Sequence, residues 1–232
     1  MSHTVRVWDL PTRLFHWSLA ATTVALVVTA KLGGNAMQWH LRLGYVMLTL
    51  LLFRLVWGLI GGHWSRFANF VPTPARLARH LTGKEYEDPQ QVADAQRLGH
   101  SPLGALSVLG MLAALVAQLV SGLMSDDEIA FAGSLSRFVS GEWVGQATWF
   151  HKDVGQYLLI GLVVLHLLAI TFYVLVRRQP LVRAILYGDK HLTEGSTHAT
   201  ASRDDAASRT LATLVVTLCG LVAWWVARLG AF

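Results

Sequence analysis

Charge and cysteine are both scarce in this chain. Only 14% of its 232 residues are Asp, Glu, Lys or Arg, against about 25% in a soluble domain. That shortfall excludes an ordinary water-soluble fold and a disordered chain, which stays solvated through polarity. The single cysteine, Cys219, excludes an internal disulfide and a secreted disulfide scaffold. It also excludes a thiolate metal cluster and the C-x-x-C-H attachment of a c-type haem. Proline breaks none of the long apolar runs at its middle, as transporter substrate sites often require. A period-two alternation is missing as well, which removes a membrane β-barrel.

Apolar residues make up 53% of the sequence. They gather into five runs, at about 14–32, 39–60, 102–124, 148–176 and 210–229. Each run is long enough to cross a bilayer as a helix of about 20 residues. Helices satisfy every backbone group internally, as spanning segments must. The expected fold is therefore an all-α membrane protein. The first run reads as a span rather than a cleavable signal peptide. It lacks a small-residue cleavage site, and Trp8, Asp9, Pro11 and Arg13 precede it as a helix start.

The net charge of +5 is distributed in a way that fits basic loops rather than nucleic-acid binding. Thirteen of the 19 Lys and Arg residues fall before run one, between runs two and three, or between runs four and five. Lys31, Arg42, Arg137, Lys152 and Arg228 fall on the other side, and Arg54 lies inside run two. The positive-inside rule then predicts a cytoplasmic N terminus, with the C terminus facing the periplasm or outside. The predicted organisation is a four-helix domain over 1–190, a cytoplasmic linker over 191–209 and a fifth spanning helix over 210–232. The stretch 188–209 reads as flexible, from its Gly, Ser and Asp content.

The histidines carry the chemistry. Ionisable residues inside membrane segments are costly and usually functional. His16 and His166 both fall in the inner half under the charge-derived topology, and His40 and His151 both fall in the outer half. His151 and His166 are 15 residues apart in one run, about 22 Å along a helix with a net rotation of about 60°. One helix thus offers one ligand near each side of the membrane. Two imidazoles on facing helices are what a six-coordinate haem iron takes, whereas zinc wants three or four converging ligands. Without C-x-x-C-H the haem is of b type. Gly44 and Gly155 each follow a histidine by one turn, where a missing side chain would admit a flat macrocycle; helix packing is the competing account. Arg54 is a candidate partner for a haem propionate, with snorkelling to the interface as the alternative. His100 is a candidate for a quinone or propionate site, with a capping role competing.

These residues sit in motifs that resemble those of a known family. Trp8-Asp9-Leu10-Pro11-Thr12-Arg13-Leu14-Phe15-His16-Trp17 is similar to the opening of bacterial cytochrome b-561 and of the b-type cytochrome subunit of nickel-iron hydrogenase. In order there follow Trp39-His40, Gly44-Tyr45, Phe53-Arg54-Leu55-Val56-Trp57-Gly58, Arg66-Phe67 and Leu98-Gly99-His100-Ser101-Pro102-Leu103-Gly104-Ala105. His151, Leu165-His166 and Leu181-Val182-Arg183-Ala184-Ile185-Leu186-Tyr187-Gly188-Asp189-Lys190 complete the set, which covers about 5–190. The resemblance implies a four-helix transmembrane bundle with two b haems, one held by His16 and His166, the other by His40 and His151. One departure stands out. The family usually places fourteen residues between its two fourth-helix histidines, and this chain places fifteen. A π-bulge, a feature common at functional sites, would absorb the extra residue.

The function that follows is transmembrane electron transfer. The expected partners are the lipid bilayer, a periplasmic c-type cytochrome, hydrogenase or other reductase, and ubiquinone or menaquinone; a homo-oligomer is compatible. The competing readings are a stand-alone superoxide oxidase, with Lys31, Arg42 and Lys152 steering the anion, and a haem-free membrane scaffold.

Overall fold

A computed structural model describes residues 3–73, 102–192 and 200–230, with isolated positions 75, 78 and 82. Five long apolar helices dominate it: α1 (Leu10–Leu32), α2 (Ala36–Ile60), α3 (Pro102–Met124), α4 (Gly141–Leu175) and α5 (Ala206–Leu229). All five are long and apolar enough to span a membrane, so the chain is a multi-pass membrane protein. Helix α4 starts seven residues before the expected 148, because Ser140 opens a turn at Gly141 that runs unbroken into the apolar run. Its outer surface is almost wholly apolar and exposed, with Val164, Leu165, Leu167 and Leu168 all uncovered. In a membrane that surface meets acyl chains, which are as apolar as leucine.

The helices divide between two compact units. The first unit comprises 1–14, 56–110 and 166–212. Within it the strands β1 (His3–Arg6) and β2 (Asp189–Leu192) pair antiparallel, with Arg6 opposite Asp189. Gly188 makes the turn into β2 at φ +90°, a conformation open to glycine at little cost. Its carbonyl accepts the N–H groups of Val7 and Trp8. The stretch expected to be a flexible linker is ordered in its described parts. Part of it is β2, and the Ser202 N–H donates to the Arg6 carbonyl at 2.7 Å while the Ser202 hydroxyl donates to the Val7 carbonyl at 2.7 Å. Asp204 collects Arg6 at 3.1 Å and Arg209 at 3.0 Å. The interaction that orders this unit is the fully buried Asp9 carboxyl. It accepts from the Thr12 N–H at 2.8 Å, the Trp57 Nε1–H at 3.3 Å, the Gly62 N–H at 3.1 Å and the Ser65 hydroxyl at 3.1 Å. A buried acidic group is tolerated only when its oxygens are satisfied in this way. Gly58 packs directly beneath the Phe67 ring, where a Cβ would overlap it.

The second unit comprises 15–55, 111–165 and 213–232. Its core is Met47 and Leu51 from α2, Leu115, Leu119 and Leu123 from α3, and Leu159 from α4, with Leu26 of α1 and Val226 of α5 packed on it. The loop after α3 is fixed by Asp127, whose carboxylate accepts three backbone N–H groups, from Ile129, Ala130 and Phe131. Those bonds hold its pKa down at about 2.

Two predictions follow from the first unit. Asp9→Leu strips the acceptor from four donors at once, and its stability is expected to fall by about 3 kcal/mol, with Asp9→Asn costing less; thermal unfolding in detergent measures both. Burial pushes the Lys190 ammonium down to about 8 from 10.5. The unfolded chain binds more protons between those values, so this group makes stability rise with pH across that window. Lys190→Met is expected to remove that rise in the melting temperature.

Candidate functional site

Helix α2 carries His40 one turn from its start, and α4 carries His151 in a stretch that is not α-helical. Residues Phe150–Gly155 form a π-helix. That segment takes up the extra residue in the His151–His166 interval, because a π turn holds one more residue than an α turn. Both histidines belong to the second unit. Their ring centres are 6.1 Å apart and the planes are near perpendicular, at 80°.

Each ring spends its Nδ1 on a helix carbonyl. His151 Nδ1 lies 2.8 Å from the Gln118 carbonyl oxygen of α3, and His40 Nδ1 lies 3.0 Å from the Leu26 carbonyl oxygen of α1. A carbonyl only accepts, so each Nδ1 carries the hydrogen and each Nε2 keeps its lone pair. Among the described residues neither Nε2 makes a hydrogen bond. A helix carbonyl already accepts from the N–H four residues on, and its second lone pair is reachable only where that turn carries small side chains. Both turns do. Ser121 and Gly122 follow Gln118, and Thr29 and Ala30 follow Leu26. A Cβ at Gly122 would stand 2.6 Å from His151 Cε1. The Ser121 hydroxyl donates to the same Gln118 carbonyl at 3.0 Å, and the Thr29 hydroxyl, whose shorter bond is to the Ala25 carbonyl at 2.7 Å, lies 3.1 Å from the Leu26 carbonyl oxygen.

Gln118 escaped the sequence reading. Its carboxamide Nε2 donates to the His151 carbonyl at 3.0 Å, so Gln118 grips His151 by both ring and backbone. The signal was present: it is the one amide side chain in an otherwise apolar run, and such a group needs a partner inside a membrane. Gln118 also accounts for Gly155, because a Cβ there would overlap the Gln118 Oε1. The missing side chain makes room for the amide. Beside Gly44, by contrast, a Cβ would meet nothing within 4 Å.

The other candidates are placed as follows. His16 is half-buried on α1, edge-on to Trp17 at 5.3 Å. His166 is half-buried on α4 between exposed leucines. His16 belongs to the second unit and His166 to the first. Arg54 is 6% exposed, so it does not snorkel to a surface. His100 lies outside the described residues.

The donor set fits an iron shared by two imidazoles. The ring centres lie 6.1 Å apart, a spacing at which His40 and His151 would be able to hold one metal ion between them at a metal–nitrogen distance of about 2 Å. No group of three or more His, Cys, Asp or Glu that would suit zinc occurs among the described residues. Fixing one ring nitrogen by a carbonyl is the usual support for a metal-binding histidine. A helical membrane protein with such a pair fits the class of b-type cytochromes. The comparisons identify which: the family model of prokaryotic cytochrome b561 matches residues 7–188, and the chain belongs to that family. It is a membrane electron carrier, and its family implies haem b. It is 24% identical to the probable Ni/Fe-hydrogenase B-type cytochrome subunit of Bradyrhizobium diazoefficiens, over 82% of this chain and 87% of the relative. It is 28% identical to the protein of the same name from Azotobacter chroococcum mcd 1, over 79% and 87%. No solved structure matches.

Gly122→Ala is expected to push the His151 ring off the Gln118 carbonyl. Haem affinity should fall by about tenfold, measured as the rate of haem transfer to excess apomyoglobin.

Proposed function

We propose that this chain binds two b haems and moves electrons across the bacterial inner membrane between a periplasmic redox partner and the quinone pool. His40 and His151 hold one haem, and His16 and His166 hold the other. The observation that carries this reading is the pair of imidazoles 6.1 Å apart, each with Nδ1 committed to a carbonyl. The inner pairing rests on the depth of His16 and His166 under the charge-derived topology, which also puts the N terminus in the cytoplasm. A haem held there would supply one-electron redox chemistry at its iron. The residues of the chain do the rest. The carbonyls of Gln118 and Leu26 keep the Nδ1 hydrogens in place and present the Nε2 lone pairs. The leucine-rich core around Leu26, Met47, Leu115 and Leu119 excludes water. The buried Arg54 supplies a positive charge for a propionate.

The relatives named as hydrogenase cytochrome subunits support a hydrogenase or similar reductase as the periplasmic partner; a c-type cytochrome is the other donor class. The competing reading as a superoxide oxidase would draw on the outer cations: Lys31 donates to the Gln156 carboxamide at 3.1 Å, Arg42 lies over the Trp39 ring at 5.0 Å, and Lys152 is exposed.

Pyridine-haemochrome analysis of the purified protein is expected to give two b haems per chain. His40→Ala and His151→Ala should each lose one haem, and the same one. His16→Ala and His166→Ala should each lose the other. A wild-type chain with one haem, or a His151→Ala protein that keeps two, overturns the assignment.

A further inference from the structure

The π turn around His151 brings two side-chain amides onto its carbonyls. When the backbone ladder passes from i→i+5 pairing back to i→i+4, one carbonyl is skipped, and a skipped carbonyl in apolar surroundings needs another donor. Gln156 Nε2 bonds the Lys152 carbonyl, and Gln118 Nε2 bonds the His151 carbonyl at 3.0 Å. Gln118 differs from Gln156 because its own backbone carbonyl also holds the His151 ring at 2.8 Å. The two bonds run in opposite directions between the same two residues. They close a ring that ties the imidazole, its backbone and α3 together. The Gln118 Oε1 is buried with no hydrogen-bond partner among the described residues. It lies in the space that Gly155 leaves open, so the amide is held in one orientation with its N–H toward His151.

We propose that Gln118 is a positioning residue for His151, and that through the clamp it sets the reduction potential of the haem this histidine holds. The inference rests on the assignment of His151 as an axial ligand. The physical route is short. A firm Nδ1–H bond to a carbonyl raises the basicity of the opposite nitrogen, and a more basic ligand favours ferric over ferrous iron. Loosening the clamp lengthens that bond, lowers the basicity and raises the potential. The Ser121 hydroxyl competes for the same carbonyl, so the carbonyl has a second donor ready when the imidazole slackens. Gly155 acts in the same device: a side chain there displaces the amide.

The experiment is a spectroelectrochemical redox titration of the full-length protein in detergent, with electron paramagnetic resonance of the ferric state. The variants are Gln118→Met, Gly155→Ala and, as the check on ligation, His151→Ala. Gln118→Met keeps the length and removes the N–H donor. The expected result is two haems retained, with one midpoint raised by an amount equal to about a tenfold change in ferric preference, about 59 mV for one electron. The other midpoint stays put, and the low-spin ferric signal of the shifted haem changes its anisotropy as the imidazole turns. Gly155→Ala is expected to move the same midpoint in the same direction. If Gln118→Met does not assemble, Gly155→Ala decides by the same readout. Unchanged midpoints and an unchanged ferric signal overturn the proposal, as does an equal shift of both haems, which marks a general loosening. A His151→Ala protein that keeps two haems overturns the ligand assignment instead, and the two failures are told apart by haem count.

Discussion

An imidazole that binds iron has one nitrogen left, and inside a membrane that nitrogen must still find an acceptor. The local architecture of the second unit answers that constraint. The nearest acceptors are helix carbonyls, each already bonded once along its own helix. Their free lone pairs become accessible where the next turn is thin. At Leu26 the thin turn is Thr29-Ala30, and at Gln118 it is Ser121-Gly122. The same solution is used twice, on α1 for His40 and on α3 for His151, so two helices that carry neither histidine nonetheless hold the pair. The helix that supplies the ring and the helix that supplies the carbonyl must meet in register. The leucines Leu115, Leu119 and Leu123, one turn apart on α3, set that register against Met47 and Leu51.

The first unit solves a different version of the same problem. Asp9 is buried among donors that come from Thr12 on its own helix start and from Trp57, Gly62 and Ser65 at and just after the end of α2. Because Ser65 gives its hydroxyl hydrogen to Asp9, the Thr12 hydroxyl must donate to Ser65, at 2.6 Å. The motif residues around Trp8-Asp9 and Tyr187-Gly188, which carry the family resemblance in sequence, make contacts with one another. The Gly188 carbonyl accepts two N–H groups, from Val7 and Trp8, and Arg13 donates to the Leu186 carbonyl at 2.8 Å. They tie the opening of the chain to the stretch after α4.

Much of this was legible in sequence because long apolar runs and stranded charges are strong signals. The five helices and the depth-matched placing of His40 and His151 follow from counting residues and charges, while the π turn is expected only from the fifteen-residue gap set against the spacing of the family that the chain resembles. What escaped were features that arise only when a backbone atom becomes a partner. Gln118 was one polar letter in an apolar run, and nothing in spacing says that its main chain holds a ring while its side chain holds the backbone beneath that ring. Gly155 was read as clearance for a macrocycle because it lies one turn beyond His151. The contact that fills its place comes from α3, which no periodicity in α4 reveals. The pairing of β1 with β2 was missed for a related reason. Each strand is four residues long, and its apolar alternation is too short to stand out from the loop around it.

The tautomer argument separates a ligand from a core histidine more sharply than burial does. A histidine kept for packing minimises its cost by satisfying both nitrogens, since each unsatisfied polar atom in a low-dielectric interior is penalised. A ligand must do the reverse, fixing one nitrogen and leaving the other open. His40 and His151 both follow the second pattern, with Nδ1 committed and Nε2 without a hydrogen bond among the described residues. Two rings in that state lie with their centres 6.1 Å apart. A single ring of this kind would be weak evidence. Two of them, each backed by a thinned helix turn on a different helix, require four local features to coincide. That coincidence supports the proposal that His40 and His151 hold a metal together, on grounds separate from the family match.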